Sequence, residues 1–452
     1  MAYSAHPSLC FSNMPLTANE QYLLELINRA RLDPVAEAAR YGLDDLNRGL
    51  APGTLSASAV QVLAPNELLS NSARSHSQWM LDVDQFSHTG VGGSTPGDRM
   101  TSAGYSFTGS WTWGENISWS GSSGVLDFSA QIDIQHRGLF LSDGHRANIL
   151  KGTYREIGVA QVRGDFVDSG NSHWDSSMVT ENFAKSGTAA FLTGVAYSDI
   201  NHDDFYSIGE GVSGTTIAIA GGTSTVSSAS GGYALATTAG VKSVTMGGMS
   251  FAVDLAGGNG KIDLVDSTLV KSSVSLVITS GVARATLLGM ADLTLTGSSA
   301  GEFLTGNRGN NSIDGGNGND TLVGGEGNDT LTGGAGDDQL DGGGGSDTAV
   351  FAGSFSSYST SYSQINYIFT ILGASTGTDT VFGVEFFQFS DQTISAAVLQ
   401  GYTDSAPPTL STVFPADNAT GVAIDANLTI TFSESIQRGS GIIILKTAAG
   451  AT

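Results

Sequence analysis

The sequence predicts a multidomain chain of two fold classes in series, α+β over residues 16–187 and all-β from residue 190 onward. Three observations carry that expectation. Apolar residues at helical spacing, such as Leu23, Leu24, Ile27 and Ala30, are concentrated in the first part. From residue 190 they come instead as short β-branched runs divided by Gly, Ser and Thr, the composition of strands and tight turns. Between Gly306 and Val350 one nine-residue unit is written five times, GNRGNNSID, GGNGNDTLV, GGEGNDTLT, GGAGDDQLD and GGGGSDTAV, and a tandem unit of that length marks stacked coils.

Residues 1–15 are expected to be a flexible tail. A helix opens at Thr17, where Glu20 completes a capping box, and Pro34 breaks it. A second helix is expected from about Asn66 to Val83, with Leu69, Ala73, His76 and Met80 on one face; His76 there reads as a packed structural residue. Then follow FSHTG (86–90), DRMTSAGY (98–105), WGENI (113–117), HRGLF (136–140), GHRANIL (144–150), YREIGVAQV (154–162) and MVTENFA (178–184). This ordered set resembles the CAP superfamily of cysteine-rich secretory, antigen 5 and pathogenesis-related proteins, in a disulfide-free form, over residues 16–187. The resemblance implies an α–β–α sandwich whose cleft holds two histidines and two acidic residues. His88, Glu115 and His145 fall on matching positions, and Ser142, Asp143 and His136 are the candidates near the fourth. Two neutral imidazoles and a carboxylate are ligand types that suit Zn²⁺, the candidate metal. Without metal, a His–Glu pair can act as general base, or the trio can be a buried structural network. No G-x-S-x-G or H-E-x-x-H accompanies these residues, so a hydrolase has no nucleophile motif to rest on. All five tryptophans lie in this region; Trp111, Trp113 and Trp119 flank Glu115, as a wall to the cleft or, for at least two, as core.

Residues 190–277 read as a small β-sandwich built from FLTGVAY, GTTIAIAG, GGYALATT and KSVTMG. Between the first two runs, Asp199, Asn201, Asp203 and Glu210 stand at positions 1, 3, 5 and 12, the oxygen-ligand spacing of a calcium loop, with the Phe205 carbonyl at 7. Position 6 is Asp204 where the helical version has glycine, and strands flank the loop, so an EF-hand is not expected. The competing reading is an ordinary acidic turn.

Each nonapeptide supplies a six-residue turn and a three-residue strand. Gly316, Gly318, Gly325, Gly327, Gly334 and Gly336 allow positive φ and close backbone approach, and Ile313, Leu322, Leu331 and Leu340 point into a thin core. Two units complete one coil, which sets Asp320 above Asp338 on one side and Asp329 above Asp347 on the other, about 4.8 Å apart. Carboxylates that close repel one another, and oxygen-only donors on a flexible turn favour Ca²⁺ over Mg²⁺. With GSSAGEFLT (297–305) as a degenerate end coil, the parallel β-roll is expected over residues 288–350. The repeats resemble the RTX family of calcium-binding secreted proteins. That resemblance implies export by a one-step system reading a C-terminal signal, in keeping with MAYSAHPSLCFSNMPL, which lacks the basic start and continuous apolar core of a signal peptide.

Residues 351–402 are expected to be a β-rich cap on the roll. After Ala406, Pro407 and Pro408, residues 405–452 resemble the start of a bacterial Ig-like β-sandwich, about half of the ~100 residues such a fold needs, so the chain is expected to continue. Formal charge is −24, of which −7 lies up to residue 185 and −17 beyond. The second part is a poor partner for nucleic acid or anionic membrane and a good one for cations. Cys10 is the single cysteine, and no apolar run approaches the ~18 residues of a membrane span. These readings combine into a secreted calcium-binding protein whose N-terminal cleft takes a small or apolar ligand or a metal. An extracellular hydrolase using His88, Glu115 and His145, and a structural adhesin or matrix component, are the alternatives.

Overall fold

The computed structural model describes residues 15–374, 376–401, 410–414 and 429–432. By contacts the chain divides into two units, Met1–Ala396 and Ala397–Thr452. The expected tail, up to residue 14, and most of 405–452 lie outside the described residues; of the latter, Leu410–Phe414 and Thr429–Phe432 pair antiparallel.

Local chemistry sets the first helices. In α1 (Ala18–Leu32) the Thr17 hydroxyl accepts the Glu20 N–H while Glu20 accepts the Thr17 N–H. Asp33 ends α1 and caps α2 (Pro34–Arg40), where Pro34 holds a first-turn position that needs no N–H. Asn66 caps α3 (Glu67–Asp82), and α4 (Pro96–Ser102), α5 (Gln131–Leu141) and α6 (Asp143–Ile149) follow. Strands β1 (Ala64–Pro65), β2 (Thr112–Ser122), β3 (Glu156–Val167) and β4 (His173–Lys185) form one sheet in the order β1-β3-β4-β2, antiparallel except for β1 with β3.

That sheet is covered on both faces. Ile157, Val159, Val179 and Phe183 join the apolar residues of α1, α5 and α6, while Met178 and Ala184 pack with residues of α3 and α4. Strand alternation produces the division. At Gly158 a Cβ would fall 2.0 Å from the backbone of Leu69, so glycine lets α3 lie directly on β3. The result is an α–β–α sandwich.

From Ala190 to Ser395 the chain forms two eleven-stranded sheets. The four runs expected as strands appear at Ala190–Tyr197, Thr216–Ile219, Gly232–Thr237 and Val241–Met246. Pairing is mainly antiparallel up to Ser280, then turns parallel where Leu269–Ser272 meets Arg284–Leu287 and Leu276–Ser280 meets Thr294–Thr296. In the nonapeptides Leu304, Leu322 and Leu340 stack in one sheet and Ile313, Leu331 and Ala349 in the other, which is 18 residues per coil. All six are buried.

Polar contacts tie the α–β–α layer to these sheets. Lys261 is buried between Asp263 and Glu25 of α1, the latter at 2.9 Å, and Asn259 donates to the carbonyls of Val62 and Arg155. Arg308, in the first nonapeptide, pairs with Asp33 at 2.7 Å. Among the described residues no helix is long and apolar enough to cross a membrane.

Candidate functional site

The first candidate site straddles β2, an edge strand, so Glu115 and Asn116 reach opposite sides of the sheet. Glu115 is buried, with His88 Nδ1 at 2.9 Å from one oxygen and Arg99 Nη2 at 2.5 Å from the other. Against an ionised carboxylate the His88 ring donates from Nδ1, leaving Nε2 as an acceptor on a half-exposed side chain. Arg99, from α4, also donates to the His88 and Ser94 carbonyls at 3.0 and 2.9 Å, so one guanidinium fixes both the carboxylate and the loop carrying His88. Behind them His76 lies buried and stacked on Trp79, with Nε2 on the Ser87 carbonyl; burial pushes its pKa down to about 4.

On the other side Asn116 donates to Glu181 at 2.9 Å and to the His145 carbonyl at 3.2 Å, and accepts from Asn148. Glu181 is fully buried with Oε1 unpartnered, and burial raises it to about 7. His145 places Nδ1 on the Ser142 hydroxyl at 2.9 Å, and burial, then the nearby His88, lower its pKa. The buried Arg146 anchors α6 through the Leu46, Arg48, Phe140 and Leu141 carbonyls. The site therefore brings His88 and Glu115 together directly and holds His145 through Ser142.

The second candidate site is the pair of carboxylate columns. Asp320 N–H donates to Asp338 Oδ1 at 2.8 Å, and Asp329 N–H to Asp347 Oδ1 at 2.7 Å, which is the stacking expected from the repeat. Oδ2 of all four is buried without a partner. Burial, then the neighbouring carboxylate, raise Asp320 to about 7 and Asp329 to about 6; burial raises Asp338 and Asp347 as well. The turn glycines have positive φ, and a Cβ on Gly334 would meet the Gly316 carbonyl at 1.9 Å, so a side chain there would part the coils. Orphaned carboxylate oxygens among backbone carbonyls form a donor set that fits Ca²⁺.

The loop at 199–210 is drawn closed by Glu210, which accepts from Ile200 and Ser207 N–H. Asp199 accepts from Asp203 and Asp204 N–H, and Asp203 from Phe205 N–H. Asp204 takes φ 62°, the left-handed conformation that glycine supplies at this position in the helical loop.

Residues 24–174 match the cysteine-rich secretory protein family, residues 296–331 and 314–349 the RTX calcium-binding nonapeptide repeat, and residues 404–452 the bacterial Ig-like domain. The chain joins a CAP domain to RTX repeats and an Ig-like domain. Among solved structures, an extracellular protein containing an SCP domain from Bacillus anthracis is 22% identical over 38% of this chain and 45% of its own, with a TM-score of 0.24. An outer surface protein from Borrelia burgdorferi is 13% identical over 39% of this chain and 98% of its own, also with a TM-score of 0.24. The chain thus spans under half the length of the Bacillus protein, at 45%. No curated protein matches.

Two expectations for the CAP domain need correction. Zinc is not supported, because among the described residues no group of three or more His, Cys, Asp or Glu is arranged to hold a metal ion. Arg99 occupies Glu115 where a cation would bind, and Ser142 holds His145. His136 is not at the site either: it is fully buried, with Nε2 3.0 Å from Glu37. Asp143 points back to the Gly144 N–H. The tryptophans divide as core and surface. Trp119 packs with Phe166 and Trp174, Trp113 packs near Leu69 and Met100, and Trp111 is half-exposed. Sequence reasoning missed Arg99, Asn116, Asn148 and Glu181, though each lies within a quoted motif. The available signal was a lone arginine in DRMTSAGY facing a cleft otherwise made of imidazole and carboxylate.

Proposed function

We propose that this is a secreted calcium-loaded protein in which the RTX roll, held by Ca²⁺, is a scaffold for a CAP domain that binds a small ligand. The observation that carries the calcium reading is the set of four buried, unpartnered Oδ2 atoms on Asp320, Asp329, Asp338 and Asp347. Left as anions without a cation they would cost several kcal/mol each, and Ca²⁺ bridging successive turns through them and the turn carbonyls offsets that cost. Gly316, Gly318, Gly325, Gly327, Gly334 and Gly336 shape those turns. Extracellular modules bind calcium at about 10⁻⁴–10⁻³ M, so the roll folds after export. Circular dichroism of the full chain should gain β signal on adding millimolar Ca²⁺ and lose it with chelator; an unchanged spectrum would remove this reading.

For the CAP domain, His88 and His145 in their neutral forms offer ring nitrogens to a small hydrogen-bonding ligand beside Glu115. Support comes from His88 being half-exposed while its other nitrogen is fixed by Glu115. A pull-down from lipid and small-molecule extracts, read by mass spectrometry, should recover a ligand with the wild type and not with His88→Ala/His145→Ala. Equal recovery from both would exclude these histidines from the binding site.

A further inference from the structure

The carboxylate columns do not end with the repeats. Asp338 N–H donates to Asp379 Oδ1 at 3.1 Å, and Asp347 N–H donates to Glu385 Oε2 at 2.7 Å, the same contact that links one repeat to the next. Both acceptors come from the segment beyond the family match, which ends at residue 349. After a 26-residue excursion from Phe351 to Thr376, Gly377-Thr378-Asp379-Thr380-Val381-Phe382 restores the second half of a nonapeptide, G-x-D-x-U-x. Its strand continues one sheet of the stack, Val381 pairing with Leu340, and the following strand, Phe386–Gln388, continues the other, Phe387 pairing with Ala349. Gly377 also sits as a repeat glycine does: a Cβ there would lie 2.2 Å from the Gly336 carbonyl, as one on Gly336 would lie 1.9 Å from that of Gly318.

The carbonyls follow the same pattern. A Cβ on Gly324 would meet the Gly342 carbonyl at 2.3 Å and Asp329 Oδ2 at 2.5 Å. One turn on, a Cβ on Gly342 would meet the Gly383 carbonyl at 2.1 Å and Asp347 Oδ2 at 2.7 Å. Gly383 thus brings a carbonyl to the last turn where a further repeat would have done so. Oδ2 of Asp347 lies at that last turn, and Oδ2 of Asp338 and of Asp347 are both buried without a partner.

We infer that Asp379 and Glu385 are calcium ligands that close the two columns, so that the terminal site on each side is built jointly by the last repeats and the segment after them. This rests on the calcium reading of the repeats. Docking of residues 377–388 onto the roll then becomes calcium-dependent, and the final ions hold the end of the stack shut.

Calcium titration of the full chain, by calorimetry and circular dichroism, compares wild type with Asp379→Asn, Glu385→Gln and the double variant. Each amide keeps an oxygen to accept the neighbouring N–H and loses the charge that binds the cation. Each single variant should raise the calcium midpoint of β formation by about threefold or more, since affinity follows ligand charge count, and should lower the bound calcium by one equivalent. If the double variant fails to fold, the singles decide, because each leaves one column intact. Wild-type midpoint and stoichiometry in both singles would mean that Asp379 and Glu385 only cap an amide, and would overturn the inference. A wild type that takes up no calcium would instead remove the reading of the repeats.

Discussion

The CAP domain and the RTX roll both bury carboxylates, and they neutralise them differently. In the CAP domain Glu20 meets Arg74 at 2.7 Å, Glu37 meets Arg29 at 2.8 Å and Glu115 meets Arg99 at 2.5 Å. In the roll the charges weighing on Asp320 and Asp329 are other carboxylates, and one oxygen of each has no partner. A buried anion needs a counter-charge or a proton. Glu20, Glu37 and Glu115 meet arginines of the CAP domain, and Glu25 meets Lys261 of the adjoining sheet, whereas the carboxylate columns of the roll must take their counter-charge from solution. Stability in the first region therefore rests on pairs made within the chain, and in the second on calcium.

Breaking an internal pair should have the largest effect on the CAP side. Arg99→Leu leaves buried Glu115 with the His88 contact but without its arginine, and should cost about 3–5 kcal/mol in urea unfolding followed by tryptophan fluorescence, with or without calcium. A loss under about 1 kcal/mol would mean that the pair behaves as a solvent-screened surface contact.

Acid should move the two regions in opposite directions. Asp320 and Asp329, raised to about 7 and about 6, bind protons more tightly in the folded roll than in the unfolded chain. Their favourable contribution is full below the ordinary carboxylate value and lost as pH rises through 6 to 7, so chelated protein should hold more roll structure at pH 5 than at pH 7.5. His76, depressed to about 4, contributes stability above its ordinary value near 6.5 that is lost as pH falls through 4. Melting of chelated protein across this range by circular dichroism and tryptophan fluorescence should show the divergence; parallel curves would contradict it.

The smallest effect concerns the loop at 199–210, whose carboxylates already accept backbone N–H bonds yet keep further lone pairs. Asp199→Ala/Asp203→Ala should remove one calcium equivalent from the full chain and leave the roll's transition in place. Unchanged stoichiometry would make the loop an ordinary acidic turn.

What was legible in the sequence was local or periodic. Thr17 with Glu20, Asn66 ahead of α3 and the nine-residue spacing of Asp320, Asp329, Asp338 and Asp347 each declare themselves within a few residues. What was not legible depends on distant pairing. The antiparallel strands up to Ser280 share their sheets with the nonapeptides, which no local run reveals. Glu115 gave no hint that Arg99, 16 residues away on α4, would take the place expected for zinc. Asp379 was hidden because 41 residues separate it from the aspartate it follows in the column.

The central claim is that only the roll depends on a cation from outside. All five tryptophans lie between Trp79 and Trp174, so tryptophan fluorescence reports the CAP domain alone, while most strand residues, whose contribution far-ultraviolet circular dichroism also carries, lie beyond it. Recording both on the full chain through one titration with a calcium chelator tests the claim most directly. The account predicts that the β signal falls while the tryptophan spectrum stays native, and that calcium restores the lost signal. Loss of both signals at the same chelator concentration, or of neither, would contradict it.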